Sequence, residues 1–213
     1  MIKKKELVDE IAHLTDEIAA LRKIQKEHEE LESFITWLNE LCMRKQYQFC
    51  GIRKITFKRS PHRPCYIGFV LKSKLYLEPE KHYQYTIYGY LSTAQNKAEP
   101  PKAYTANLTQ RLSERPIGIT NTMELSDNFV DPYEIQHEGI GSAGMQIIKE
   151  LAKLHHCSHI VGSKHPRTNT PEGLDELTAF YHAHGFAQDD QSRKISFDMK
   201  NYQPSSFDVS ERQ

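Results

Sequence analysis

No apolar run in this 213-residue chain approaches the length of a membrane span, so no transmembrane helix is expected. The start, MIKKKELVDEIAHL, has lysines but no apolar segment behind them, and a secretory signal is not expected either. Net charge is absent as well: 28 basic residues stand against 28 acidic ones. That balance argues against a dominant polyanion-binding surface, while leaving room for a local basic patch. Cysteine is scarce, and Cys42, Cys50, Cys65 and Cys157 form no C-x-x-C pair. A disulfide framework and a paired-cysteine metal site are thereby disfavoured. The four read as free thiols in a reducing cytoplasm, each filling space as a small hydrophobe. Glycine and proline are missing altogether before Gly51, which removes the usual helix breakers from that stretch.

What fills the stretch is helical. Residues 1–46 read as one long helix, with Leu7, Ile11, Leu14, Ile18 and Leu21 stepping by 4-3-4-3, the heptad seam. The next seam positions, Gln25 and His28, are polar. The apolar stripe resumes as Ile24, Leu31, Phe34/Ile35, Leu38 and Leu41/Cys42, a shift of register near position 24. Two readings stand: a coiled coil that makes a homodimer, and an amphipathic helix packed on its own domain.

Residues 47 to about 130 are β-rich. FCGIRKITFKR, PCYIGFVLKSKLYL and KHYQYTIYGYLS are dense in β-branched and aromatic residues, and GITNTMELSDNFV is a further strand closed by Asp131-Pro132. STAQNKAEPPKAYTANLTQRLSERP, polar and bearing prolines, reads as a long loop or short helix. Aromatics beside lysines could form a nucleic-acid platform, but cross-strand aromatic pairs account for the same pattern, and nucleic acid is not expected as a partner. Beyond residue 139 the pattern alternates: a helix from Ser142 to His155, the strand HIVGS, a helix from Asp175 to His184 closed by Gly185, and the strand RKISFDMKN. Residues 201–213 read as a flexible tail.

The chemical signal is Gly139-Ile140-Gly141-Ser142-Ala143-Gly144, which fits G-x-G-x-x-G. Glycines at a helix start let backbone N–H groups approach a phosphate. A dinucleotide fold, however, wants a buried strand running straight into the first glycine and an acidic residue about 20 positions later. Here the polar DPYEIQHE precedes the loop, and HIVGSKHPR ends in basic residues.

The stretch Gln136-His137-Glu138-Gly139-Ile140-Gly141-Ser142-Ala143 matches Q/R-x-x-G-x-G/A, and LTAFYHAHGF, about 40 residues on, matches A-x-x-F-Y-x-x-x-G-F at Phe180, Tyr181, Gly185 and Phe186. With a helix and a strand between them, these motifs make residues 117–200 resemble the GNAT N-acetyltransferase superfamily. The resemblance implies a GNAT-like α/β fold, a mixed β-sheet flanked by helices, over residues 47–200, here preceded by the long helix. It implies acetyl-CoA as co-substrate and an amine acceptor, from a protein or a small molecule. It assigns the pyrophosphate to Gln136, Gly139, Ile140, Gly141, Ser142 and Ala143, main-chain contacts with the acetyl and pantetheine groups to Phe129 and Val130, and protonation of the departing thiolate to Tyr181. Some relatives carry a general-base glutamate near the place of Glu124; a surface carboxylate is the equal alternative. The family's asparagine seven residues before the tyrosine is Leu174 here, and residues 47–115 show no sign of the helical pair usual near the start of the fold.

His155, His156, His159, His182 and His184 cluster near helix ends without zinc spacing, which suggests favourable charge at helix C-termini. Two functions compete: an N-acetyltransferase, and a coiled-coil adaptor carrying a degenerate CoA-binding domain.

Overall fold

Alternate side chains along Pro64–Tyr76 go to opposite faces of a sheet, and that alternation divides the molecule into two cores. In the computed structural model, residues 2–57, 64–77, 82–95, 100–115, 118–131, 135–166, 170–189 and 193–203 are described; for 2–7, 64, 112–115 and 118–120 the description is of the backbone alone. Pro132 and residues 204–213 of the expected tail lie outside the described residues. Helix α1 (Ile2–Lys45) leads into strands β1 (Gln48–Thr56), β2 (Pro64–Tyr76), β3 (His82–Leu91), β4 (Tyr104–Arg115) and β5 (Gly118–Val130). Then come α2 (Ile140–Leu154), β6 (His159–Ser163), α3 (Pro171–Ala183), β7 (Ala187–Gln188) and β8 (Lys194–Asp198). The sheet order is β1-β2-β3-β4-β5-β6-β8-β7. Strands β1 to β5 form an antiparallel meander, and β5 pairs parallel to β6 with α2 as the crossover. This is the α/β mixed sheet with a leading long helix that the sequence led us to expect.

Cys65, Ile67, Phe69 and Leu71 join Met145, Ile148, Leu151 and Ala152 of α2 in the larger core. Tyr66 and Val70 turn the other way, onto Phe34, Leu38, Leu41 and Cys42 of α1. Gly68 is what lets α1 lie so close: a Cβ there would collide with Leu38 Cδ1. Trp37 adds an edge-on contact to Tyr90 at 5.9 Å, and Glu27 ties the helix to Lys54 of β1 at 3.1 Å. The helix closes where Gln46 takes φ 56° and the Tyr47 N–H reaches the Cys42 carbonyl at 2.9 Å. Ahead of Glu27 the helix leaves the sheet, and Val8, Ile11, Leu14, Ile18, Leu21 and Ile24 remain 49% to 63% exposed. The two readings of the helix thus divide along its length. Its second half packs on its own sheet, and its first half presents the heptad stripe to solvent.

One expectation is corrected. Residues 104–115 are strand β4, in the centre of the sheet, rather than part of a long loop. The prolines at 100, 101 and 116 sit outside the strand, and between them Tyr104, Ala106, Leu108 and Gln110 are buried at period two. The short β7 was not foreseen, and α2 starts at Ile140, ahead of the expected Ser142. Among the described residues, no helix is long and apolar enough to cross a membrane.

Leu38 is fully buried between two tyrosines and a valine. Leu38→Ala should lower unfolding stability by about 2–5 kcal/mol, as large-to-small core substitutions do. Urea denaturation followed by far-ultraviolet circular dichroism checks this. An unchanged midpoint would mean that α1 does not share the core.

Candidate functional site

The site is built where β5 loses a neighbour. Strands β5 and β6 pair from Thr122–His159 to Leu125–Gly162, and there the ladder ends. Ser126 is then skipped in the pairing with β4, a bulge, after which Asp127 to Val130 pair with Asn107 to Tyr104. Ser126–Val130 therefore has a strand on the β4 side and, among the described residues, none on the β6 side. The bulge re-aims the side chains. Glu124 and Asp127 face one side, where Glu124 pairs with Arg111 Nε at 2.9 Å and Asp127 accepts from Asn107 at 3.1 Å. Asn128 and Val130 face the other side, toward α2 and α3.

Tyr181 of α3 meets this edge. It is 3% exposed and packed edge-on against Phe180 and Phe186, with the Asn128 side chain near its hydroxyl. Burial raises its phenol, which keeps the proton on oxygen at neutral pH; the Asn128 side chain offsets part of that rise. Tyr104 lies close beneath with a fully buried hydroxyl that has no partner among the described residues. Asn128 was missed from the sequence. It lies on the strand rather than on the helix of Tyr181, and only the bulge turns it toward the tyrosine.

The glycine loop abuts the same place. His137 and Gly139 both take left-handed backbone conformations, φ 65° and 83°, and curl the chain into α2. Nothing lies within 4 Å of where a Cβ on Gly139 would stand, so its backbone faces open space. Helix α2 has no side-chain N-cap, leaving its first N–H groups unsatisfied within the helix. The Ala143 N–H already bonds the Gly139 carbonyl at 3.0 Å, so the available donors precede it. The side chains of the other expected residues have places of their own. Ile140 buries its side chain in the core. Gln136 donates its amide to the Val130 carbonyl at 3.2 Å, pinning the loop to the end of β5. Ser142 Oγ lies 3.1 Å from His184 Nε2, joining the start of α2 to the end of α3. Phe129 is half exposed at the strand end. Gly141 has little spare room, since a Cβ would stand 3.3 Å from the Phe180 ring.

A cleft of about 900 Å³ opens beside this loop, between Arg53 of β1, the Ser142, Gln146 and Lys149 side of α2, and His184. Its wall is basic but internally tied. Arg53 pairs with Glu150 at 2.6 Å, and Lys149 donates to the His184 carbonyl at 2.7 Å while lying over the Phe197 ring at 4.1 Å. Burial lowers the Lys149 ammonium below its ordinary value.

The histidine expectation is also corrected. His155 and His184 do follow the last residues of α2 and α3, but burial, with His156 and Lys149 respectively as smaller causes, depresses both and keeps them neutral. The end of α2 is satisfied by neutral hydrogen bonds instead: Asn121 Nδ2 donates to the His155 carbonyl at 2.6 Å, and Gln110 links Asn121 to Tyr85. Among the described residues, no three of His, Cys, Asp and Glu converge as a metal site would require.

No family model matches the chain, and no curated protein does. Similar solved structures include a putative GNAT-family acetyltransferase from Desulfovibrio desulfuricans, 13% identical, covering 55% of this chain and 69% of that one at a TM-score of 0.40. A GNAT-family acetyltransferase from Staphylococcus aureus Mu50 is 14% identical over 55% of this chain and 68% of its own, also at 0.40. A mutant AtaT toxin bound to the C-terminus of the antitoxin AtaR and acetyl-CoA is 14% identical over 56% and 69%, at 0.38. Likenesses this distant carry no weight for the site or its substrate.

His155 and His184 bind protons more weakly folded than unfolded. Their contribution is complete above the unfolded value of about 6.5 and is lost as pH falls through it toward the depressed folded values. The melting temperature should therefore drop below about pH 6.5, and His184→Gln should flatten that drop. Melting curves from pH 5 to 8 check this; a parallel slope in the variant would clear His184 of any part in it.

Proposed function

We propose that this chain is an acetyl-CoA-dependent N-acetyltransferase that transfers an acetyl group to an amine. One observation carries the reading: the uncapped start of α2 and the half-paired edge Ser126–Val130 lie at one place, joined by Gln136, with the Tyr181 hydroxyl beside them. An uncapped helix start suits a pyrophosphate, because free N–H donors and the helix dipole favour negative charge there. The basic cleft beside it suits the rest of a phosphorylated nucleotide. A strand edge with unused backbone groups suits an extended amide-bearing arm, which pairs with it as a further strand would.

In this reading Gly139, Ile140, Gly141 and Ser142 act through their main-chain N–H groups, while Gln136 and Ala143 shape the loop. Phe129 and Val130 hold the arm along β5. The two reactants come from opposite faces of the sheet. The thioester lies on the Tyr181 and Asn128 side. The amine approaches on the Glu124 side, next to the last paired rung of β5 and β6. Glu124 takes a proton from the amine, directly or through a water, after yielding part of its contact with Arg111. The amine nitrogen bonds to the carbonyl carbon, the carbon–sulfur bond breaks, the Tyr181 phenol gives its proton to the thiolate, and the proton left on the new amide nitrogen returns to the Tyr181 phenolate, while Glu124 releases its own to solvent. Asn128 fixes the direction of that phenol. Residues 47–200 form the catalytic unit, with α1 as its N-terminal extension.

Acetyl-CoA should raise the melting temperature, as a ligand that binds only the folded state must, and NAD or NADP should not. Gly141→Asp should abolish the shift without unfolding the chain, because an aspartate at a helix start suits the dipole but repels a phosphate. Stabilisation by a dinucleotide and not by acetyl-CoA would overturn the reading.

Tyr181→Phe keeps the packed ring and removes the hydroxyl. It should lower kcat by about 10²–10⁴ while leaving the KM for acetyl-CoA nearly unchanged. Glu124→Gln should cost most at low pH, where the amine is most protonated. CoA release against polyamines, aminoglycosides and lysine peptides follows both variants, and full activity in either one removes that residue from the chemistry.

A further inference from the structure

The projecting half of α1 is the largest feature that the acetyl-transfer reading leaves without a role. We infer that it is a parallel, two-stranded coiled coil with a second copy of this chain, which holds two sheet-bearing bodies side by side at one end of a short rod. The inference does not rest on the acetyl-CoA reading.

The exposed stripe has the composition of a specific partner. With Leu14 and Leu21 at one class of seam position and Ile11 and Ile18 at the other, the 3-4-3 spacing makes the isoleucines a positions and the leucines d positions. β-Branched residues at a with leucine at d favour two parallel strands over higher assemblies. All four are about half exposed or more in the single chain, on a helix whose other exposed residues include the charged Asp9, Glu10, Asp16, Glu17, Arg22 and Lys23. A lone helix has no reason to keep that seam apolar over successive turns.

Charge supplies the direction. In this register Glu10 and Glu17 occupy g positions, and Thr15 and Arg22 occupy e positions. Parallel strands bring each g beside the e five residues later on the partner, so Glu17 meets Arg22 of the second copy, and by symmetry the contact occurs twice. Antiparallel strands instead bring g beside g, opposing glutamates. Opposite charges therefore select the parallel arrangement and like charges disfavour the other.

The remainder of the helix sets the limits of the rod. Gln25 and His28 would be the next seam residues, and there the apolar stripe rotates onto the chain's own sheet through Leu31, Phe34 and Leu38. The coil is thus short, but its helix need not nucleate alone, because the docked half from Phe34 to Cys42 already fixes it. A heterologous helix could use the same apolar seam, but the paired Glu17 and Arg22 on one strand make this chain its own complement.

The test uses the full chain. Light scattering over a dilution series should give a dimer mass that falls to the monomer on dilution. Leu14→Cys and, separately, Leu21→Cys should each form a symmetric disulfide-linked dimer under mild oxidation, since parallel strands set like beside like at every seam position. The unsubstituted chain serves as control for the partly exposed Cys50, the other three thiols, Cys42, Cys65 and Cys157, being buried. Glu17→Arg and Arg22→Glu should each weaken the dimer, and the double exchange should restore it. A monomer at tens of micromolar overturns the proposal. So does crosslinking at one seam position but not the other, which marks antiparallel strands, and so does a double exchange that fails to recover association.

Discussion

Backbone hydrogen bonding at β5 is the constraint on which the rest depends. A strand inside a sheet must satisfy N–H and C=O groups on both edges. Strand β5 does so only as far as Leu125, where β6 ends its pairing at Gly162. From there to Val130, one edge has no strand beside it among the described residues. The Ser126 bulge enforces the change by rotating the chain, so that Asn128 and Val130 turn toward α2 and α3 while Glu124 and Asp127 stay on the far side. The loop that follows must then reach the start of α2 within a few residues. The Gln136 amide on the Val130 carbonyl and the left-handed His137 and Gly139 bring it there.

Everything nearby follows from holding that opening in place. Strand β5 is held by β4, which pairs with it to both ends apart from the Ser126 bulge, and β4 is held in turn by β3 from Tyr104 to Arg111. Helix α2 is fixed by its buried Met145, Ile148 and Leu151, and its start is clasped to α3 through Ser142 and His184. The neutral state of His184 belongs to this clasp, since burial disfavours a charged ring there and the nearby Lys149 adds a smaller repulsion. On the opposite face, α1 covers β1 to β3 through Tyr66, Val70 and Tyr90 and leaves the Glu124 side of β4 and β5 polar and open. That uncovered side is where an acceptor would enter in the proposed mechanism.

Much of this was legible in the sequence because it rests on periodicity or on residues that only one local geometry suits. The heptad spacing of α1, the glycines at 139 and 141 and the F-Y-x-x-x-G-F of α3 each carry their own local signal, and each lies in the element expected of it. What was not legible depends on contacts between distant segments. Strand β4 was obscured by prolines just outside it, although Tyr104, Ala106 and Leu108 alternate correctly. Asn128 became a partner of Tyr181 only through a bulge, and a bulge depends on two strands rather than on one. Gln136 sits in its motif but spends its amide on β5. His155 and His184 read as favourable charges at helix ends, whereas burial lowers both.

The central claim is that the loop and the open strand edge together hold an acyl-CoA. Native mass spectrometry of the intact chain, as purified from cells and after addition of acetyl-CoA, tests it most directly. The account predicts one CoA or acetyl-CoA per chain, and loss of that adduct in Gly141→Asp with the charge-state distribution of the folded chain preserved. A chain that carries no such adduct at saturating acetyl-CoA, or one whose adduct survives Gly141→Asp, would contradict it.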